Sequence, residues 1–127
     1  MAFKVTAEDL KKSIKCPPGM HLAKLVTVEA PYFNEKQTEV QRVDFETDKG
    51  YSVPYWFNNK MTSSIFEFVQ AADKVTFTPE TMQEMEIELA DYVGKEVAIS
   101  VSHNKSEKDG KINSQIDNFY QAGKVPF

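Results

Sequence analysis

Cys16, His21 and His103 are the side chains on which nucleophilic or metal chemistry would have to rest, and their spacing suits neither. The two histidines are the only ones in the chain, and they fall in no zinc-binding or catalytic-helix pattern. Cys16 stands alone beside Pro17, so it can form no internal disulfide or cysteine metal cluster, and the sequence names no base to activate it. The five glycines are scattered singly at turns, which leaves no loop to cradle a phosphate. Carboxylates are dense at Glu80, Glu84, Glu86, Glu88 and Asp91, but solvent-facing carboxylates titrate normally and make poor general acids. The chain is therefore expected to be no enzyme and to need no metal or cofactor. The residues that do suggest a chemistry are the aromatics (one Trp, five Tyr and nine Phe), whose rings can stack on bases or anchor a protein interface.

Placing those rings falls to a series of short alternating segments. Thr6, with a carboxylate three residues on at Asp9, starts a short helix over residues 6–15, which Pro17-Pro18-Gly19 stops. Residues 20–33 read as a long, coiled first strand closing around Pro31, with Tyr32 and Phe33 at its end and a polar loop, Asn34-Glu35-Lys36-Gln37, behind them. Residues 39–47 alternate, with Val43, Phe45 and Thr47 on one face and Arg42, Asp44 and Glu46 on the other. Asp48-Lys49-Gly50 signals a tight hairpin, so the third strand, 51–57, runs antiparallel to the second. On it Tyr51, Val53, Tyr55 and Phe57 share the more apolar face and are expected in the core, which leaves Trp56 outward.

The period then changes. Met61, Ile65, Phe68, Val69 and Ala72 recur at helical spacing, with Asn59 or Thr62 as the cap. A second helical piece begins at Thr78-Pro79, faces the core with Met82, Met85 and Leu89, and ends at Gly94. Strand four, 95–103, turns Val97, Ile99 and Val101 inward. A polar loop, 104–110, leads to strand five, 111–119, with Ile112 and Ile116 inward.

Three strands, helices and two strands is the order of an OB barrel. The fold expected is thus mainly β: a five-stranded OB-type antiparallel barrel with a helical insertion between strands three and four and a short N-terminal helix. An open α+β sheet covered by the helices fits the same order. The division that follows is an N-terminal helical extension (1–16), an OB domain (17–120) and a C-terminal tail (121–127). In such a barrel Tyr32, Phe33, Tyr55 and Trp56 border the groove of strands two and three, where stacking on a single strand contributes about 1–3 kcal/mol per base. Arg42, the only arginine, lies on the outward face of strand two, and Lys105, Lys108 and Lys111 populate the loop opposite. These four are the expected phosphate contacts.

The net charge of −4 is unevenly spread. Without the five acidic residues of 79–91, the rest of the chain is close to neutral, so a local basic surface remains open to it. An apolar fraction of 41% and a charged fraction of 27% are those of an ordinary globular domain. The N-terminus lacks the apolar region of a secretory signal and no apolar run is long enough to span a bilayer, so a cytoplasmic protein is expected.

The order of motifs resembles the small OB-fold single-stranded DNA-binding proteins of bacteriophage and mobile-element replication modules. The likeness covers roughly residues 18–120. It rests on Pro18-Gly19 before the long first strand, on the hairpin at Gly50, and on Leu89-Ala90-Asp91-Tyr92-Val93-Gly94-Lys95 leading into an alternating fourth strand with its polar hairpin. The resemblance implies a protein that coats single-stranded DNA, or RNA, during DNA replication or recombination, in the host cytoplasm if phage-encoded. Bacterial relatives end in an acidic tail closing with Pro-Phe that recruits replication proteins; this chain ends in Pro126-Phe127 without the acidic residues before it. A homo-oligomer is compatible with the sequence. The reading from another class is an OB or β-sandwich adaptor between proteins, in phage assembly or host interaction, using the same exposed aromatics.

Overall fold

Alternation of apolar and polar residues becomes six antiparallel strands and one α-helix in the computed structural model, which describes residues 2–7, 15–79, 86–105, 110 and 112–123. The strands are β1 (Gly19–Val28), β2 (Tyr32–Phe33), β3 (Glu39–Thr47), β4 (Ser52–Asn58), β5 (Glu96–Lys105) and β6 (Ile112–Tyr120). The helix, α1, spans Ser63–Asp73, and a 3-10 turn lies at Leu89–Tyr92. In the single sheet β1 lies between β3 and β5, β6 pairs with β5, and β4 takes the other edge of β3. β2 continues along the same edge of β3 as β1, with Val28 opposite Val43, Tyr32 opposite Val40 and Phe33 opposite Glu39. The expected first strand is therefore present in two pieces, parted around Pro31, which has no N–H for a ladder bond. That break turns the five strands expected into six.

The strand order predicts a closed barrel, but the sheet is curled and open. Its free edges, β4 and β6, face each other without a hydrogen-bonded ladder among the described residues. They meet only through side chains: the Phe119 ring lies 5.2 Å from Tyr55 and 5.9 Å from Phe57, centroid to centroid. Two local facts keep the edges apart. Pro54 on β4 lacks the N–H that a partner strand would need. On β6 the N–H of Phe119 donates instead to the Glu67 carboxylate of α1.

The concave side holds the core, built from Leu25, Val43, Phe45, Val53, Phe57, Val97, Ile99, Val101, Ile116 and Phe119, with Phe68, Val69 and Ala72 of α1 across one end. Phe68 is the hub. Its ring lies 5.6 Å from Phe45, 5.6 Å from Phe57, 5.4 Å from Phe119 and 5.6 Å from Tyr92. Tyr92 is tied in turn to α1 by its hydroxyl, which donates to Asp73 (2.9 Å). Burial, then that bond to a carboxylate, pushes the Tyr92 phenol up to about 12. Among the described residues no helix is long and apolar enough to cross a membrane.

Several details differ from expectation. Thr62 stands at the N-cap of α1 but makes no side-chain cap bond; the Asn58 carboxamide oxygen accepts from the N–H groups of Lys60 and Met61 just before it. Met61 precedes the helix and is exposed, while Ala71 joins the buried face. Leu89 does reach the core, but from a 3-10 turn, because Glu88 before it is extended. Ile112, expected inward, is exposed: it pairs with Lys105, beyond the last core rung of Val101 and Ile116. The expected N-terminal helix falls largely on residues 8–14, and Met82 and Met85 on 80–85, all outside the described residues.

Cys16 is fully buried in the core. Its carbonyl accepts from His103 Nε2 (2.8 Å) and Ser114 Oγ (3.0 Å), and the next carbonyl, of Pro17, accepts from His21 Nε2 (2.8 Å). Both histidines thus pin the chain just ahead of β1. Burial pushes the Cys16 thiol up to about 11, outweighing the opposite pull of Lys49. The folded state therefore favours the neutral thiol, and above pH 9 the unfolded chain binds fewer protons than the folded one. Stability from this group is complete below about pH 9 and is lost as the pH rises through about 11, a span worth about 2–3 kcal/mol. Urea denaturation from neutral pH to about pH 11 should show that decline in the native protein and a shallower one in Cys16→Ala. Parallel curves would mean that the thiol is not held neutral.

Candidate functional site

Pairing across β3 decides which aromatics share a surface, because residues directly opposite on adjacent strands project to the same face. Val43, Phe45 and Thr47 of β3 are buried inward, so Arg42 and Asp44 lie on the outer face, and Val40, although itself buried, shares their phase. Tyr32 sits opposite Val40, Trp56 opposite Arg42, and Pro54 opposite Asp44. Tyr32 and Trp56 are therefore on one outer face, 49% and 48% exposed, on strands flanking β3. Strand geometry separates them by about 7 Å along the sheet and about 10 Å across it.

The neighbouring residues divide differently. Phe33, opposite Glu39, projects to the other face beyond the core rim and is exposed. Tyr55 points inward, half-buried, with its ring 4.7 Å from Phe57. Arg42 lies against Trp56, its guanidinium carbon 5.4 Å from the ring centroid. The same guanidinium pairs with Glu29 (3.3 Å) and Asp44 (3.2 Å), so its charge is already matched. Lys105 ends β5, while Lys108, Lys111 and the terminal Pro126-Phe127 lie outside the described residues.

Next to Trp56 the gap between β4 and β6 opens into a groove of about 660 Å³. One wall is Ser52, Pro54, Tyr55 and Trp56; the other is Asn104 of β5 with Asn113, Ser114, Gln115 and Ile116 of β6. Lys15 stands at the rim, its Nζ donating to Asn113 Oδ1 (3.1 Å). Among the described residues the lining is thus amide, hydroxyl and aromatic, with a single cation. A volume of this size suits a small flat ligand or one or two bases. Among the described residues no group of three His, Cys, Asp or Glu is placed to hold a metal.

The structure therefore brings together Tyr32, Arg42 and Trp56 on the outer face, with Tyr55 at the groove beside them. The amide wall and Lys15 were missed by sequence reasoning. Asn113 and Gln115 were legible only as the polar phase of a strand, and nothing local marks such residues as a wall. Lys15 could have been suspected through its neighbour, since cysteine is among the residue types most often buried and a buried Cys16 ties the preceding chain to the domain. No family model and no curated protein sequence matches this chain.

Proposed function

We propose that the chain is a non-catalytic single-stranded DNA-binding protein on an OB-type barrel left open between β4 and β6. The reading is carried by one observation: two half-exposed aromatic rings on the outer face of β2–β3–β4, adjoining an amide-lined groove. Support for the barrel type comes from β1 pairing with both β3 and β5, and from a helix inserted between β4 and β5. Bases stack on Trp56 and Tyr32, and the amides of Asn104, Asn113 and Gln115 offer donors and acceptors to base edges. Lys15 and Lys105, with Lys108 and Lys111 from outside the described residues, are the cations assigned to phosphates. The assignment to a phage-type replication or recombination module, and of partners to Pro126-Phe127, rests on the sequence resemblance alone.

Four phosphate contacts set the expected salt response. For a single strand each contributes about −0.7 to the slope of log K against log salt, so the slope should be no steeper than about −3. Titrating labelled oligo-dT with the protein at increasing salt measures it. No binding at micromolar protein, or equal affinity for duplex, would sink the reading.

A second reading, a protein-protein adaptor, is favoured by the charge of the outer face. There Glu29, Asp44 and Glu46 stand against Arg42 and Lys24, a balance better suited to a protein than to a phosphate chain. Trp56 is the only tryptophan, so its fluorescence separates the two: oligonucleotide quenches it only if a base stacks there.

A further inference from the structure

Arg42 is the single arginine of the chain and sits at the centre of the aromatic face, where a phosphate ligand would be expected. Its surroundings point elsewhere. The Nε side faces Glu29 at 3.3 Å and the Nη2 side faces Asp44 at 3.2 Å, while the guanidinium carbon lies over the Trp56 indole, 5.4 Å from its centroid. Glu29 is itself held, since its N–H donates to the Arg42 carbonyl (2.9 Å) and its carbonyl accepts from Gln41 Nε2 (2.9 Å). Nη2 donates a hydrogen bond to Asp44, while Nε faces Glu29 at ion-pair distance without a hydrogen bond; a planar, delocalised cation can hold both carboxylates beside a ring better than an ammonium can. Exposed ion pairs contribute little to stability, typically below about 1 kcal/mol, so the arrangement is not explained as a staple of the fold.

We propose that Arg42 is a positioning residue: clamped by Glu29 and Asp44, it covers one face of Trp56 and leaves the other as the stacking surface. The claim rests on the single-strand reading for its purpose but not for its geometry. A clamped arginine releases no counterion on binding, because its charge is already neutralised by protein carboxylates. Its removal therefore loosens the platform without removing a phosphate contact.

Two measurements test this. In the free protein, acrylamide quenching of Trp56 should rise about twofold in Arg42→Gln, as the second indole face opens to solvent. The double variant E29Q/D44N, which keeps the arginine but unclamps it, should raise quenching in the same direction. Unchanged quenching in both variants would overturn the clamp. In oligo-dT titrations Arg42→Gln should bind several-fold more weakly with an unchanged salt slope. A slope shallower by about 0.7 would make Arg42 a phosphate ligand and overturn the proposal. If native protein binds no oligonucleotide, the single-strand reading fails, while the quenching comparison still judges the clamp. Circular dichroism of each variant confirms that the sheet is retained.

Discussion

Replacing Trp56 by alanine is expected to weaken oligo-dT binding by about 1–3 kcal/mol, roughly 5- to 150-fold. The ring is 48% exposed, stands on the outer face of β4, and forms part of the groove wall, so a base can reach it without any strand moving. Fluorescence anisotropy of a labelled oligonucleotide measures the loss. Trp56→Phe keeps a π-face at the same place and should lose less than the alanine variant. Because the side chain lies outside the core cluster, the alanine variant should lose only about 1 kcal/mol of stability or less. Equal affinity of the native and alanine proteins would show that stacking at this position contributes nothing, and the reading would lose its main support.

Phe68→Ala should destabilise the fold by about 3–5 kcal/mol, a large part of the 5–15 kcal/mol typical of a domain. Phe68 is fully buried and is the one helical ring in contact with β3, β4 and β6 together, through Phe45, Phe57 and Phe119. Alanine leaves a void at the point where α1 holds the two free edges of the sheet. Urea denaturation gives the magnitude. The groove should suffer too, because Phe119 is the ring by which β6 approaches Tyr55 and Phe57 of β4. A loss below about 1 kcal/mol would mean that the helix does not pack where these contacts place it.

Much of the molecule was legible in period alone. The alternation of Val43, Phe45 and Thr47, the inward set of Val97, Ile99 and Val101, and the outward Trp56 all follow from a two-residue repeat. The hairpin at Asp48-Lys49-Gly50 was legible as turn chemistry: Gly50 adopts a φ of 91°, which glycine takes without penalty, and its N–H donates to the Thr47 carbonyl. Two local signals came out only in part. Thr62 does stand at the helix N-cap, but without a side-chain bond, while Asn58 at the end of β4 accepts from Lys60 and Met61 ahead of the helix. Ile112 kept the inward phase of its strand but lies past the point where the core ends.

The sequence by itself determined that this is a mainly β chain, with alternating strands around a helical insertion and a tryptophan facing away from the core. It could do so because strand period, turn residues and helical spacing are local properties, each readable within about ten residues. Only the tertiary structure decided that β4 and β6 stay unjoined, that an amide wall faces Trp56 across the gap, and that Arg42 is held by Glu29 and Asp44. Those facts join residues far apart in the chain, such as Glu67 with Phe119 and Glu29 with Arg42, and no local pattern encodes which distant edge or charge a side chain will meet.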